Sequence, residues 1–433
     1  MRFITDFHIH SRYSRACSKA LTLPNISRWC SAKGIDIVAT GDYTHPAWIS
    51  DIERQLEETE QGLYRVKPEH VKLADLDGAN AAPRALGGRP VRFVLSTELS
   101  CIYKKGGATR RLHLVLMMPS VDAVKRFNRN LEMRGYNLRA DGRPILGLDA
   151  KELLKLALEV DDRAFMIPAH AWTPWFSVFG SKSGFDSLEE CFEEMTPHIR
   201  AIETGLSSDP PMNWSVGGLD DIVLVSHSDA HGLRNLGREA NVMEFDAPSY
   251  DRIIEAMSSP KAEAMKATIE FFPEEGKYHA DGCRECAFTC EPKETDRLGG
   301  RCPKCSKPIT RGVLGRVHAL AARKPGRGDL VRKPYYSVMP LEELIADVIG
   351  VGKASKAVDS LYRRLIESIG PEFDILIDTA PAAAARVDAR IAAALGQLRR
   401  GEVRLEPGYD GVFGKVRLDK ENRRRDRQGS LGL

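Results

Sequence analysis

A chain of 433 residues, 42% hydrophobic and 28% charged, is long enough for two or three domains around a sizeable core and has the composition of an ordinary soluble protein. No apolar stretch approaches the ~20 residues that a membrane span needs, so no membrane partner is expected. Nine cysteines include two CxxC pairs but no regular disulfide framework, which points to a reducing cytoplasm and a thiolate metal site rather than to secretion. The net charge of +3 is unevenly spread. Residues 277–333 carry 14 Lys and Arg against 6 Asp and Glu, residues 334–433 carry 16 against 15, and residues 1–276 are left at −6. An acidic first domain followed by a basic module suits metal-site carboxylates in the one and a polyanionic partner for the other.

In chain order, short apolar runs end in histidines and acids again and again. Phe3 and Ile4 lead into Asp6, His8 and His10, so the chain is expected to open on a strand with no signal peptide before it. Residues 35–38 lead into Asp42 and His45, and residues 91–95 into Glu98. His113 lies inside the run 112–116, residues 165–168 lead into His170, and residues 222–225 lead into His227, Asp229 and His231. Such runs read as buried parallel strands. Between them, 25–33, 50–61, 150–159 and 250–258 read as helices, 75–90 as a surface loop and 104–111 (KKGGATRR) as a basic hairpin turn. This is the rhythm of an α/β barrel over residues 1–275, in which the strand ends converge on one face.

The chemistry of those ends is that of divalent metals. His8 and His10 are two apart, so both imidazoles share one face of an extended chain, and Asp229 and His231 repeat that spacing. Glu98 has two oxygens with which to bridge two ions. A site of several metals suits phosphoester hydrolysis. Glu203, after another apolar run, reads equally as a ligand or substrate contact and as a salt-bridge partner. His227 reads equally as facing the site and as facing the barrel wall. His70, His198, His279 and His318 read as ordinary polar residues.

Cys283, Cys286, Cys302 and Cys305 form two CxxC knuckles, the spacing of a structural zinc ribbon over 276–334, with Cys290 outside it. Arg297, Arg301, Lys304, Lys307, Arg311 and Arg316 surround the knuckles and suggest contact with a phosphate backbone. Residues 323–334 read as a basic linker. Residues 341–400 read as helical, with an Ala-rich helix at 381–399, inside a domain spanning 335–410. There Gly350, Val351, Gly352 and Lys353 resemble the turn of a helix-hairpin-helix DNA-binding element, although Lys356 stands where that element has a small residue. Residues 411–433 read as a charged, flexible tail. Its last six residues, Gln428 to Leu433, resemble the peptide by which bacterial proteins dock the replication sliding clamp.

The strings DFHIH, GDYTH, TELS, PAH and SDAH resemble the PHP (polymerase and histidinol phosphatase) phosphoesterase superfamily. Two residues separate Asp42 from His45 where that superfamily writes TDH. The longer strings SRYSRACSKAL, HAWTPWFSVFGSKSGFDSLEECF and ETGLSSDPPMNW, with the ribbon, resemble the endonuclease Q family along nearly the whole chain. The resemblance implies a distorted (β/α)7 PHP barrel with two or three divalent ions (Zn, Mg or Mn), a zinc ribbon with one structural Zn and a small helical domain. It places one ion on His8, His10, Glu98 and Asp229, a second on Glu98, His113 and His170, and a third on His45 and His231 with Asp42. It casts His8, His10, Glu98, Asp229 and His231 as catalytic. It implies hydrolysis, by metal-activated water, of the phosphodiester 5′ to deaminated bases (hypoxanthine, uracil, xanthine) or abasic sites in damaged DNA. Arg12, Arg15 and Lys19 would meet phosphates, and Trp172, Trp175, Phe176 and Phe179 would supply either a stacking wall or core packing. Glu203, Arg311, Arg316, Gly350, Gly352 and Lys353 complete the predicted DNA contacts. A small-molecule phosphatase of the PHP type and a non-catalytic DNA-binding protein are the alternatives.

Overall fold

A computed structural model describes residues 1–72, 81–330 and 332–419. Its strands, in chain order, are β1 (Arg2–Asp6), β2 (Ile37–Ala39), β3 (Leu56–Glu60), β4 (Leu63–Val66), β5 (Arg92–Val94), β6 (Ser96–Lys105), β7 (Ala108–Met117), β8 (Ile145–Leu146), β9 (Phe165–Pro168), β10 (Ala201–Glu203), β11 (Val223–Val225), β12 (Ala240–Glu244) and β13 (Met265–Glu270). Further on come β14 (Asp281–Cys283), β15 (Phe288–Cys290), β16 (Tyr335–Ser337), β17 (Val403–Glu406) and β18 (Lys415–Leu418). The first domain holds an eight-stranded sheet in the order β16-β13-β12-β1-β2-β5-β4-β3, a four-stranded sheet β8-β6-β7-β9 and the pair β10-β11. β1, β2 and β5 run parallel, and the side chains of β2 are buried throughout, which is why they read as continuous apolar runs.

The sheets adjoin one another. Only Leu95 separates β5 from β6, so the chain passes there from one sheet to the next. Ala171 N–H donates to the carbonyl of Glu203 (3.1 Å), and Ile9 forms a parallel bridge with Ala230. The segments that leave β1, β2, β9, β10 and β11 therefore meet the start of β6. Helices pack on the sheets through residues such as Trp29 and Trp48, which with Trp172 in the loop after β9 are among the largest fully buried side chains. Several helices carry their own N-caps: Ser120, Asp149 and Ser249 accept from the backbones of Ala123, Lys151 and Arg252.

Some predicted elements shift. The 104–111 turn is a two-residue hairpin with Gly106 and Gly107 both at positive φ, which a type I′ turn requires. The 50–61 helix stops at Gln55, and residues 56–60 pair with β4 as a strand, because sheet pairing outweighs the helical preference of a Glu-rich stretch. The 381–399 helix divides into Pro381–Ala385 and Ala389–Arg399, with Asp388 capping the second. The 323–334 segment is docked rather than free: Gly217 N–H donates to Lys324 O (2.8 Å), and Arg327 and Arg332 both reach Asp220 (3.2 and 2.8 Å). β16 returns to the large sheet beside β13, so Tyr335–Ser337 pack with the first domain. In the predicted tail, residues 411–419 include β18, paired with β17; the clamp-like peptide 428–433 lies outside the described residues.

The C-terminal helices are held against the first domain by a buried polar knot. Lys33 Nζ donates to Glu372 Oε2 (2.9 Å), Tyr362 Oη donates to the same oxygen (2.8 Å), and Leu341 N–H donates to Oε1 (2.9 Å). Breaking one partner would strand a buried charge, so the knot fixes how the two parts meet.

Candidate metal centre and nucleic-acid interface

β1 delivers His8 and His10, whose backbone then bonds across to Ala230 (His10 N to O, 3.1 Å), next to Asp229. Asp6, at the end of β1, accepts from the N–H groups of Ser228 and Gly237 (both 3.1 Å) and so anchors the loop that carries Asp229. Glu98 on β6 and His113 on β7 lie diagonally across one antiparallel ladder. His170 follows β9. Nε2 of His10 lies 3.0 Å from Asp229 Oδ1 and 3.2 Å from Glu98 Oε2, and Nε2 of His8 lies 3.6 Å from each carboxylate. The other oxygen of Glu98, Oε1, lies 2.8 Å from His113 Nδ1 and 3.2 Å from His170 Nε2. Two ligand groups thus share Glu98: His8, His10, Glu98 and Asp229, and Glu98, His113 and His170, with donor atoms in each group within 4.8 Å of one another.

The chain is strained where it turns these groups inward. Asp42, His170 and Asp229 have φ of +45°, +30° and +47°, a region that residues other than Gly adopt at a cost and that clusters at functional sites. Gly205 lies against His170, where a Cβ would come within 2.7 Å of the histidine Cα.

Orienting acids stand behind the imidazoles. Glu203 accepts from Nδ1 of His8 (2.9 Å), from Nδ1 of His227 (2.8 Å) and from the backbone N–H of His170 (2.8 Å). Asp42 Oδ1 accepts from Nδ1 of His10 (3.0 Å), and its Oδ2 accepts from the backbone and hydroxyl of Ser11 (2.6 and 2.7 Å). Such bonds select the tautomer and point Nε2 at the ligand position. They make Glu203 an ion-pair partner of His8 and His227. It is 1% exposed and borders the space over His170 and Asp229. His227 faces the same carboxylate, and its Nε2 has no partner.

Electrostatics prepare the cup for cations. Burial opposes the imidazolium of His8, but Glu203, Glu98 and Asp229 outweigh it and hold its pKa well above the usual histidine range. His10 is raised in the same way, burial being overcome by Asp42 and Asp229. Burial disfavours the Glu98 carboxylate too, yet His113, His8 and Arg143 keep it well below its ordinary value. Glu203 falls to about 2, since His8 and His227 prevail over burial. Burial pushes His113 down to about 4, leaving a neutral donor. Ionised acids, a neutral imidazole and a buried His8 Nε2 without a hydrogen-bond partner make a donor set suited to divalent ions, which would displace the protons that His8 and His10 hold.

Not every predicted residue joins the cup. Asp42 orients His10 and is grouped with no second set. His45 stacks on Tyr13 (4.4 Å) with its Nδ1 buried and unpartnered, and His231 lies beside His10 (4.5 Å) with Nδ1 on the carbonyl of Asp229 (2.8 Å). Among the described residues these three form no third ligand group. Trp172 is core rather than stacking wall: it is 1% exposed, packs on Phe179 and donates from Nε1 to Asn213 (2.7 Å). Arg316 is spent inside the molecule on the carbonyls of Phe179 and Phe185 and on Asp186 (2.8, 2.8 and 2.7 Å), clamping the ribbon to the first domain instead of meeting phosphate.

Arg311 pairs with Asp296 (2.5 Å), Lys307 with Glu285 (2.6 Å) and Lys353 with Glu343 (2.9 Å); exposed pairs of this kind are weak and can give way to phosphate. Arg15 is exposed near Asp141 (3.5 Å), Arg12 stands over the Tyr13 ring, and Lys19 donates to Arg12 O (3.0 Å). Gly350 ends the helix Leu341–Ile349 in a left-handed cap, and exposed Val351 and Gly352 lead to the helix Lys356–Ser368. That second helix is capped by its own Ser355, which accepts from Val358 N–H.

The ribbon assembles as its spacing predicts. β14 and β15 form a small hairpin, Cys283 and Cys305 Sγ lie 3.8 Å apart, and the four Sγ atoms group within 4.8 Å. Cys302 is drawn down to about 7, its burial outweighed by the backbone N–H groups of Lys304 and Cys305. Cys290 turns to Thr295 instead (3.3 Å).

A cavity of about 380 Å3 opens over the cup and is lined by Arg143, Trp175, Phe176, Lys277, Tyr278 and Phe413 beside His113, His170, Asp229 and His231. Trp175 is 37% and Phe413 70% exposed, and Trp175 meets Tyr278 edge-on at 5.5 Å. Sequence reasoning missed Arg143, Lys277, Tyr278 and Phe413. They lie in loops without a motif, Lys277 and Tyr278 side by side, although the Gly-Arg-Pro string around Arg143 is a weak turn signal.

Histidines and carboxylates paired at the strand ends of an α/β domain, beside a four-thiolate ribbon, define a protein with a candidate multi-metal centre. The comparisons sharpen this. The MJ0043 C-terminal domain family matches residues 340–402. The chain is 31% identical to MJ0043 of Methanocaldococcus jannaschii over 271 residues, 60% of this chain and 33% of that protein; it thus spans about a third of that relative's length. It is 29% identical to YqxK of Bacillus subtilis over 427 residues, 96% of this chain and 99% of YqxK. The crystal structure of the lesion-specific endonuclease PfuEndoQ from Pyrococcus furiosus matches with a TM-score of 0.82 at 30% identity, covering 97% of this chain and 96% of that one. An endonuclease Q complex with a 27-mer duplex substrate bearing an abasic lesion at the active site matches at 0.81 and 30% identity, covering 97% and 98%. The chain belongs to the endonuclease Q family.

Proposed function

We propose that this chain is a metal-dependent DNA repair endonuclease that hydrolyses the phosphodiester 5′ to a deaminated base (hypoxanthine, uracil or xanthine) or an abasic site. One observation carries the reading: five side chains, His8, His10, Asp229, His113 and His170, gather around the single carboxylate of Glu98 in a chain that matches a lesion-specific endonuclease along nearly its whole length. In this reading the first domain is a PHP barrel and the four cysteines hold a structural zinc. His8, His10, Glu98 and Asp229 would hold one divalent ion, and Glu98, His113 and His170 a second. Bound there, the ions supply a water of lowered pKa and offset charge on the phosphoryl oxygens.

The chain's own residues do the rest. Glu203 and Asp42 hold His8 and His10 in register. His231 lines the cavity with its imidazole pushed by burial toward the neutral form, placed to take or give a proton at the reacting oxygens. Trp175, Phe176, Tyr278 and Phe413 offer ring faces to a nucleotide turned out of the duplex, since a recessed cup cannot reach a stacked base. Arg12, Arg15, Lys19, Lys353 and the ribbon cations would meet the strand through its phosphates. The Gln428–Leu433 peptide completes the proposal as a docking point for a sliding clamp, on its sequence pattern alone.

The test is a labelled duplex with one deoxyinosine, deoxyuridine or abasic site, incubated with and without Mg2+, Mn2+ or Zn2+. A metal-dependent nick 5′ to the lesion is expected, falling by about 100- to 1,000-fold in His8→Ala and Asp229→Ala. Turnover of phosphate monoesters with intact DNA would favour the small-molecule phosphatase. Retarded DNA without cutting would favour the binding protein.

A further inference from the structure

We propose that Arg143 is the phosphate clamp of this site: its guanidinium holds the non-bridging oxygens of the phosphodiester that is cut. This rests on the nuclease reading above and adds a residue that no motif marked.

The position is built rather than incidental. The backbone around Arg143 is pinned from three sides: Gly142 N–H donates to Tyr13 O (3.1 Å), Arg143 N–H to Asp141 Oδ1 (3.1 Å), and Ser100 N–H to Pro144 O (3.1 Å). Gly142 must lack a side chain, because a Cβ there would sit 2.4 Å from Asp42 Oδ2 and from Ser14 Oγ. That close approach brings Arg143 over the cup. Nη1 donates to Glu98 Oε2 (2.9 Å), the oxygen that His10 also faces (3.2 Å). No other side-chain hydrogen bond of Arg143 occurs among the described residues. Its side chain is 26% exposed and lines the cavity. Most of a five-donor fork is therefore left toward the place where substrate must lie.

Charge explains why it is there. Without ions, the Arg143 guanidinium lies directly against the Glu98 carboxylate. With ions seated on the same carboxylates, the guanidinium becomes an extra positive charge beside cations, and only an incoming anion relieves it. A phosphodiester is that anion, and the planar fork matches two of its oxygens at once, which an ammonium cannot do. The competing role, in which Arg143 merely orients Glu98 for metal, predicts the opposite effect on ion binding.

The experiment titrates Mn2+ or Zn2+ into wild-type, Arg143→Gln and Arg143→Lys protein with a competing chelator dye and measures single-turnover nicking of an abasic duplex at saturating metal. The clamp predicts that Arg143→Gln binds metal as tightly as wild type or several-fold more tightly, while nicking falls about 100-fold. It predicts that Arg143→Lys keeps wild-type metal affinity and recovers part of the rate. Should Arg143→Gln fail to fold, the lysine variant carries the test: nicking at the full wild-type rate overturns the clamp. Loss of metal affinity and nicking together, both restored by excess metal, also overturns it, as does an indifferent Arg143→Gln. Those outcomes leave the nuclease reading standing. A wild-type protein that nicks no lesion under any metal overturns both readings.

Discussion

The cup and the ribbon are both candidate metal sites, built in opposite ways. The ribbon's four cysteines come from one short stretch, and its local core is little more than Cys283, Cys302 and Ile309, with a few half-buried neighbours. The cup draws its donors from positions 8 to 229 and sits in a domain with an extensive buried core. In the first, a bound ion would stand in for the core that the short chain segment lacks. In the second, the scaffold is complete without ions, and the acids that orient the imidazoles are part of it. The ribbon should therefore depend on metal to fold, and the cup only to act.

The largest effect expected from that contrast is at the ribbon. Replacing Cys302 and Cys305 by Ser should remove one zinc per chain and, with it, the roughly 10–16 kcal/mol that such a site contributes to folding at neutral pH. Limited proteolysis should then cut within residues 281–310 while the first domain survives. A ribbon that stays protease-resistant without its thiolates would break the comparison. A smaller effect should follow Glu203→Gln in the cup. The protein should fold with little change, but metal affinity should fall by about 10–100-fold as His8 and His170 lose their orienting carboxylate. Isothermal titration with Mn2+ reads this directly, and an unchanged affinity would reduce Glu203 to a structural ion pair.

The smallest effect probes the scaffold beneath both. Glu270 and Glu239 face each other at the β12–β13 ladder, fully buried. Burial raises Glu239 well above its ordinary value and Glu270 to about 7, even though Thr204 and Ser226 donate to Glu270 (2.9 and 3.2 Å). A carboxyl whose folded pKa lies above its unfolded value of about 4.5 stabilises the fold least once pH exceeds both. The contribution of Glu270 to stability should thus decline from about pH 4.5 to about pH 7 and then level off. Glu270→Gln should flatten that decline and raise stability at pH 8 by about 1–3 kcal/mol. Urea unfolding at pH 5, 6, 7 and 8 measures it, and parallel profiles for the two proteins would refute the buried-acid account.

Much of the cup was legible because its ligands follow strands. His8, His10, Glu98, His113, His170 and Asp229 each sit in or just past an apolar run, and a run is visible in one dimension. The ribbon was legible because its spacing is local. Asp42 was seen as a ligand because it, too, follows a strand, but whether a carboxylate meets the ion or the back of an imidazole depends on a side-chain direction that periodicity does not encode. Trp172 stays open between stacking wall and core in the sequence, and Arg316 reads as a phosphate contact, for a related reason: an aromatic beside a ligand and a cation beside a knuckle look functional until their partners, Asn213 and Asp186, are found from distant segments. Phe413 fell in what read as a loose tail and instead lines the cavity over the cup, because residues 408–414 bond back to 274–277.

Sequence alone determined the apolar runs, the histidines and acids at their ends and the zinc-type spacing, since each is written in local periodicity or in the identity of a side chain, while the division of the donors into two sets came only through the family resemblance. Tertiary structure decided which acids bind and which orient, which cations face outward and which clamp the ribbon, and that Arg143 hangs over Glu98. Those outcomes turn on distances of a few ångströms between segments far apart in the chain, and only the packing of the whole sets them.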